Sequence, residues 1–170
     1  MFGICVLTNV TKKSMKGTVE FEVDGKETII RVNLEGFPTG KHGFHIHEAG
    51  DLTDNCATAC AHFNPDNKNH GGPLSKERHV GDLGNIVVNK NGICKQTFTD
   101  SKIKLKGKNN IIGRCVVIHE DEDDLGKGGL DKNNNIIDYE VHKESLKTGN
   151  AGKRIACGVI GYSSKNFLKM

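Results

Sequence analysis

Between residues 18 and 23 the chain alternates strictly: Val19, Phe21 and Val23 are apolar, while Thr18, Glu20 and Glu22 are polar. A period of two over such a run marks a half-buried β-strand. Asp24 and Gly25 supply a hairpin turn. Ile30, Val32 and Leu34 continue on the return strand until Pro38 and Gly40 break it. Strand-like runs recur at 2–8, 42–48, 85–89, 93–99, 115–120 and 154–161, with Asn91 and Gly92 in one of the turns. Eight short strands with turn residues between them predict an all-β sandwich or barrel. The chain has no internal repeat, no interdomain linker and no extended amphipathic helix, so 1–162 reads as one domain and 163–170 as a polar, loose tail. Two stretches, 49–83 and 121–153, carry no strand pattern. Loops longer than about 12–15 residues are usually functional or disordered.

Composition narrows this picture. A chain of 170 residues suits one domain with its own core. With 35% hydrophobic and only 5% aromatic residues, and no Trp, that core has to rest on Val, Ile and Leu. The 21 glycines fit a turn-rich β protein. No apolar run approaches the ~20 residues of a membrane helix, so no membrane partner is expected. The first ten residues, MFGICVLTNV, read as a strand rather than a signal peptide, which points to an intracellular, cytoplasmic protein. The 24 basic residues against 21 acidic ones leave a formal charge of +3, not a polycation, and no nucleic-acid motif is present. Lys102, Lys104, Lys106 and Lys108 alternate along one segment and read as a solvated strand face or loop. The cysteines are Cys5, Cys56, Cys60, Cys94, Cys115 and Cys157, without a C-x-x-C pair. In an intracellular chain their even number does not itself imply three disulfides. Cys5, Cys94 and Cys115 lie in strand-like runs and read as small core or sheet residues.

The chemistry is concentrated between His42 and Asp82. Six of the eight histidines lie there: His42, His45, His47, His62, His70 and His79. Imidazole is the commonest metal ligand, and Asp joins His in zinc sites. His45 and His47 are one strand-step apart, so both point to the same face and can share one metal. Nitrogen-rich tetragonal sites favour copper. His62, His70, His79 and Asp82 are spread along a loop rich in Gly, Asn, Asp and Pro, which can fold around an ion as structural zinc requires. His62 could serve either group. The plainer alternative is a His-rich surface loop.

Seven segments in this order resemble the copper/zinc superoxide dismutase family: GFHIHE (43–48), HFNP (62–65), HGGP (70–73), RHVGDLGN (78–85), DDLGKGG (123–129), TGNAG (148–152) and ACGVIG (156–161). The resemblance runs from about residue 2 to 162, and its specificity comes from the linked order of the motifs. It implies an eight-stranded Greek-key β-barrel with two long functional loops, a metal-binding loop and an electrostatic loop. It implies copper on His45, His47, His62 and His119, zinc on His62, His70, His79 and Asp82, and His62 as the bridge between the ions. The implied reaction is disproportionation of superoxide by a copper ion that alternates between two oxidation states beside a structural zinc. Asp123 matches a carboxylate that orients His45 and His70, and His42 matches a structural histidine with no metal. Arg154 matches the arginine beside the copper channel, with Lys147 and Thr148 at its rim. Cys56 and Cys157 match the family's disulfide. The implied partners are the superoxide anion, a second copy in a homodimer through Gly50, Asp51, Gly113 and the final strand, and a copper chaperone.

Departures from the family pattern qualify these expectations. Leu130 to Leu146 is longer than the usual electrostatic loop and carries acids and lysines of both signs, so the placing of steering charges is open. Ile136, Ile137, Tyr139 and Val141 could pack this insert down, and a disordered loop is the alternative. Cys60 and Ala61 replace the usual Gly-Pro before His62, which makes Cys60 a rival partner in the disulfide. Ala49 replaces a bulkier residue beside the dimer contact. The other members of the acidic run from Glu120 to Asp124 read as solvated surface. Two other functions compete with the enzyme: a metal-storing or copper-delivering protein on the same fold, and a zinc hydrolase with Asp51 as its acid. The complete copper set with Arg154 favours the dismutase.

Overall fold

The computed structural model describes residues 1–167. Its strands are β1 (Phe2–Val6), β2 (Asn9–Val10), β3 (Lys16–Asp24), β4 (Glu27–Glu35), β5 (Gly40–His47), β6 (Asp82–Val88), β7 (Ile93–Asp100), β8 (Cys115–His119) and β9 (Arg154–Tyr162), with one α-helix, α1 (Tyr139–Thr148). The strands form one antiparallel ladder in the order β6-β5-β8-β9-β1-β3-β4-β7, and the two-residue β2 pairs with β9. The end strands β6 and β7 follow each other through a turn in which Gly92 N–H donates to Asn89 O at 2.9 Å. Gln96 Oε1 accepts from Val87 N at 2.7 Å, so the seam of this nearly closed barrel is bridged. Consecutive β4 and β5 lie far apart in the ladder, and this crossover gives the Greek-key arrangement.

The alternation seen in sequence becomes the inside and outside of the wall. In the β3–β4 hairpin Val19 faces Val32 and Phe21 faces Ile30, and all four are buried. On the outer face Arg31 pairs with Glu22 at 2.7 Å. Cross-strand pairs of this kind hold register as well as contributing stability. Phe44, Ile46, Ile86 and Ile118 continue the core. Fully burying an aliphatic side chain contributes roughly 1.5–3 kcal/mol. The segment after β7 is a loop, with a single bridge between Lys104 and Asn110. Ile103 and Leu105 plug the barrel there, while Lys102, Lys104, Lys106 and Lys108 stay outside.

Four expectations are corrected. The first strand stops at Val6, and the chain pairs again as β2. The second long loop contains a ten-residue helix. Asp138 Oδ1 caps it by accepting from Val141 N at 3.0 Å, and Gly149 ends it in the left-handed region with φ 68°. An acidic N-cap and a glycine just past the end are the usual boundaries of a helix. Ile136, Ile137, Tyr139 and Val141 do not pack the insert down, for all four are exposed. Hydrogen bonds to main-chain N–H groups hold it instead: Gly129 O accepts from Ile137 N and Asp138 N, and the side-chain Asp131 Oδ1 accepts from Asn133 N and Asn135 N. As far as residue 167 the tail is also tied down, because Asn166 Oδ1 accepts from Phe2 N at 2.7 Å. The rest of the tail, 168–170, lies outside the described residues.

Candidate metal centre

Two strands and one loop end build the first group. His45 and His47 stand on the same face of β5, and β8, which pairs with β5, ends on His119. An isolated bridge between His47 and His62 brings the loop back to the strand. His45, His47, His62 and His119 are all buried, with ring nitrogens within 4.8 Å of one another. Hydrogen bonds decide which nitrogen of each ring remains free. His47 donates through Nδ1 to Cys60 O at 2.8 Å, and His119 through Nδ1 to Gly152 O at 3.1 Å. Their Nε2 atoms face each other at 3.4 Å. His45 donates through Nε2 to Asp123 Oδ2 at 2.7 Å, which leaves its Nδ1 buried without a partner.

The second group comes from the loop 49–81 and the first residue of β6. Asp82 Oδ1 lies 2.9 Å from His62 Nδ1, 3.0 Å from His70 Nδ1 and 3.0 Å from His79 Nδ1. His79 Nδ1 is 3.3 Å from His62 Nδ1. A tetrahedral zinc with bonds of about 2.0 Å needs its ligand atoms about 3.3 Å apart. The spare oxygen of Asp82 accepts from His79 N at 2.7 Å and Gly71 N at 3.1 Å.

The fit to metal ions rests on two orphans. Among the described residues, His45 Nδ1 is buried without a hydrogen-bond partner, and His70 Nδ1, though 3.0 Å from Asp82 Oδ1, is not aligned for a bond to it. Buried polar atoms are nearly always satisfied. Each orphan points into one of the two groups, one per group.

Asp123 joins the groups. Its Oδ2 takes the bond from His45, and its Oδ1 takes one from His70 Nε2 at 2.8 Å. Asn85 grips its main chain from both sides, accepting from Asp123 N at 2.7 Å and donating to Asp123 O at 2.8 Å. Gly149 packs on the carboxylate, where a Cβ would come within 2.1 Å of Asp123 Oδ1 and 2.5 Å of His70 Nε2. The residue that ends α1 therefore has to be glycine twice over, for its φ and for its contact.

The electrostatics favour neutral rings. Burial first, then the neighbouring His62, hold His45 and His47 well below the ordinary histidine value. Burial lowers His62, and lowers His119 to about 4. Neutral imidazole is the ligating form. Burial opposes ionisation of Asp82, but the close imidazoles of His62, His70 and His79 outweigh it and keep the carboxyl far below the usual range. His70 goes the other way. Burial lowers it, yet its bond to Asp123 and the nearby Asp82 carboxylate raise it to about 9.

A cleft of about 550 Å³ opens on the first group, lined by His47, His62 and His119 with Arg154, Lys147 and Thr148. Arg154 donates to Cys56 O at 2.6 Å, Ala57 O at 3.1 Å and Cys60 O at 2.6 Å. Cys56 is bonded to Cys157, 101 residues on, with a Cα separation of 5.8 Å. Closing so long a loop removes up to ~4.7 kcal/mol of unfolded-chain entropy. Cys60 is free and exposed, in a backbone region (φ 64°, ψ −152°) that glycine ordinarily fills. Cys5, Cys94 and Cys115 are free and buried in the wall.

His42 stays outside both groups, bonded to His119 O at 2.9 Å and Pro38 O at 2.8 Å. Asp51 is exposed, bonded to Thr53, and belongs to neither group. Asp124 is not simply solvated surface, for it accepts from Ser145 Oγ at 2.5 Å and Asn150 Nδ2 at 2.6 Å and so anchors α1. Sequence reasoning also missed Asn85 and the Cys60 carbonyl. Asn85 closes the RHVGDLGN segment, which was the available signal. A main-chain acceptor such as Cys60 O leaves none.

The family model described as copper/zinc superoxide dismutase matches residues 15–160. The chain is 57% identical over 159 residues to a Cu-Zn superoxide dismutase of Paramecium bursaria Chlorella virus 1, covering 93% of this chain and 79% of that one. It is 50% identical over 161 residues to Cu-Zn superoxide dismutase A of Xenopus laevis, covering 94% and 97%. The crystal structure of the clock protein EA4 superposes with a TM-score of 0.83 at 42% identity, over 95% of this chain and 94% of that one.

Proposed function

The chain belongs to the copper/zinc superoxide dismutase family and disproportionates superoxide to oxygen and hydrogen peroxide, and from that premise we propose how its side chains divide the work. The observation that carries this reading is the pair of buried four-residue groups sharing His62, one of which opens into a cleft with a cation. Copper would be held by His45 through Nδ1, by His47 and His119 through Nε2, and by His62. Zinc would be held by His62, His70 and His79 through Nδ1 and by Asp82 through Oδ1. When bound, copper supplies the one-electron couple that no side chain here offers, and zinc a fixed charge without redox chemistry.

The residues supply the rest. With Nδ1 committed to the Asp82 side, the other nitrogen of His62 is the place to take up a proton and return it to the departing peroxide. Asp123 sets the rings of His45 and His70 at once, as carboxylates behind metal-bound histidines do. Arg154, held by three carbonyls, draws the anion into the cleft. Lys147 and Thr148 shape the rim. Metal analysis joined to a superoxide-consumption assay tests the reading. Protein carrying one copper and one zinc per chain that consumes no superoxide would sink it.

The same reading extends to partners and compartment. The homodimer would form on Gly50, Asp51, Gly113 and β9, where Val6 and Val159 leave apolar surface exposed. Copper would arrive from a chaperone. The compartment would be intracellular, with Cys60 an exposed free thiol in the same loop as the disulfide-bonded Cys56. Sedimentation at several concentrations tests the dimer, and a strictly monomeric mass would exclude it.

A further inference from the structure

We infer that Arg114 is a positioning residue for the ring of His62. The guanidinium lies over Phe63, its carbon 3.5 Å from the ring centroid. It also donates through Nη1 to Glu48 O at 2.7 Å and through Nε to Asn110 O at 2.9 Å. Phe63 follows His62, and Glu48 follows His47. One side chain thus grips the residues next to two members of the copper group from outside the centre.

What it grips is closely tied. Phe63 N donates to Ile46 O at 2.8 Å, Ile46 N to Gly81 O at 2.9 Å and Gly81 N to Phe63 O at 2.9 Å. These three bonds close a ring of main chain. Its neighbours in sequence are His45 and His47, His62, and Asp82. Gly81 admits no side chain, since a Cβ would come within 2.2 Å of Ile46 O. Phe63 is buried, so its ring is the lever that sets this triangle against the barrel end. Stacking on an aromatic face together with two directed N–H bonds is available to arginine and not to lysine. Without the guanidinium, Phe63 loses its outer wall and the His62 ring loses its fixed angle between the two groups.

This inference rests on the bridging role of His62, and its test separates the two. The protein is loaded with copper(II) and with cobalt(II) in place of zinc. A shared imidazolate couples the two paramagnetic ions, so the copper spin-resonance signal is silenced. The variants are Arg114→Ala and Arg114→Lys, each with both metals quantified. The expected result is silence in the parent and a reappearing copper signal in Arg114→Ala at full loading, with a smaller one in Arg114→Lys. If Arg114→Ala does not fold, Arg114→Lys decides alone. Variants as silent as the parent overturn the positioning role. An unsilenced parent with both ions bound overturns the bridge, and the positioning role with it.

Discussion

The two halves of the metal centre are built from different material. Three of the four histidines on the copper side stand on β5 and β8, inside a hydrogen-bonded ladder. On the zinc side His62, His70 and His79 come from a loop without strands, and only Asp82 belongs to one. A sheet holds its side chains at fixed spacing whatever sits beside them. A loop has to be held by its contents, and there the binding free energy of the ion becomes folding free energy. The copper half is therefore a prepared site, and the zinc half is a site that its ion completes.

Four experiments would break or sharpen this contrast. The largest effect is expected from the prepared half: His45→Ala or His47→Ala should abolish turnover, and His70→Ala should leave more of it. Equal loss from all three would remove the distinction, as read by superoxide consumption with metal content measured. Next comes metal removal. Hydrogen exchange across 50–82 should rise sharply without zinc, while β5 and β8 keep their protection. Equal protection of the loop with and without zinc would show that it needs no ion.

A smaller effect is expected from the cleft. A charge about 5 Å from an anion is worth roughly 1–3 kcal/mol at effective dielectrics of about 80 to 20. Arg154→Ala should therefore slow the enzyme on the order of tenfold, with a weaker salt dependence and full metal content. An unchanged rate at low salt would pass the guiding role to another cation, Lys147 foremost. The smallest effect is expected from the insert. Removing Asp131 to Ile137 should leave both ions bound, because none of these residues touches either group and α1 keeps its own anchors. The anchors that must stay are Leu146 O, which accepts from His70 N at 2.8 Å, and Ser145, which bonds to Asp124. Loss of either ion, measured by metal analysis, would make the insert part of the zinc half after all.

What could be read from the chain follows the same division. Alternation of apolar and polar residues marked β3 and β4 because a half-buried wall imposes a period of two on side chains, while strands such as β8, buried throughout, showed only as short apolar runs. The histidines stood out by type and spacing, yet Asp123 did so only through resemblance, since it sits in a run of acids. The helix α1 was missed because four apolar residues at 136, 137, 139 and 141 drew attention to packing that does not occur. Its true signals were the cap Asp138 and the terminator Gly149. Asp124 was hidden by the acidic run in the same way, and the ring of Ile46, Phe63 and Gly81 by being made of backbone alone. Contacts between main-chain groups have no residue type of their own and so leave no pattern to find.

The carboxylate of Asp123 has a consequence for how the protein is assembled. Because it orients one histidine of each half, and His62 belongs to both, the two metal-binding equilibria are thermodynamically linked. Linkage of this kind is reciprocal: whatever factor zinc adds to the affinity for copper, copper must add to the affinity for zinc. The sign of that factor is common to both ions, so the order of loading cannot change it.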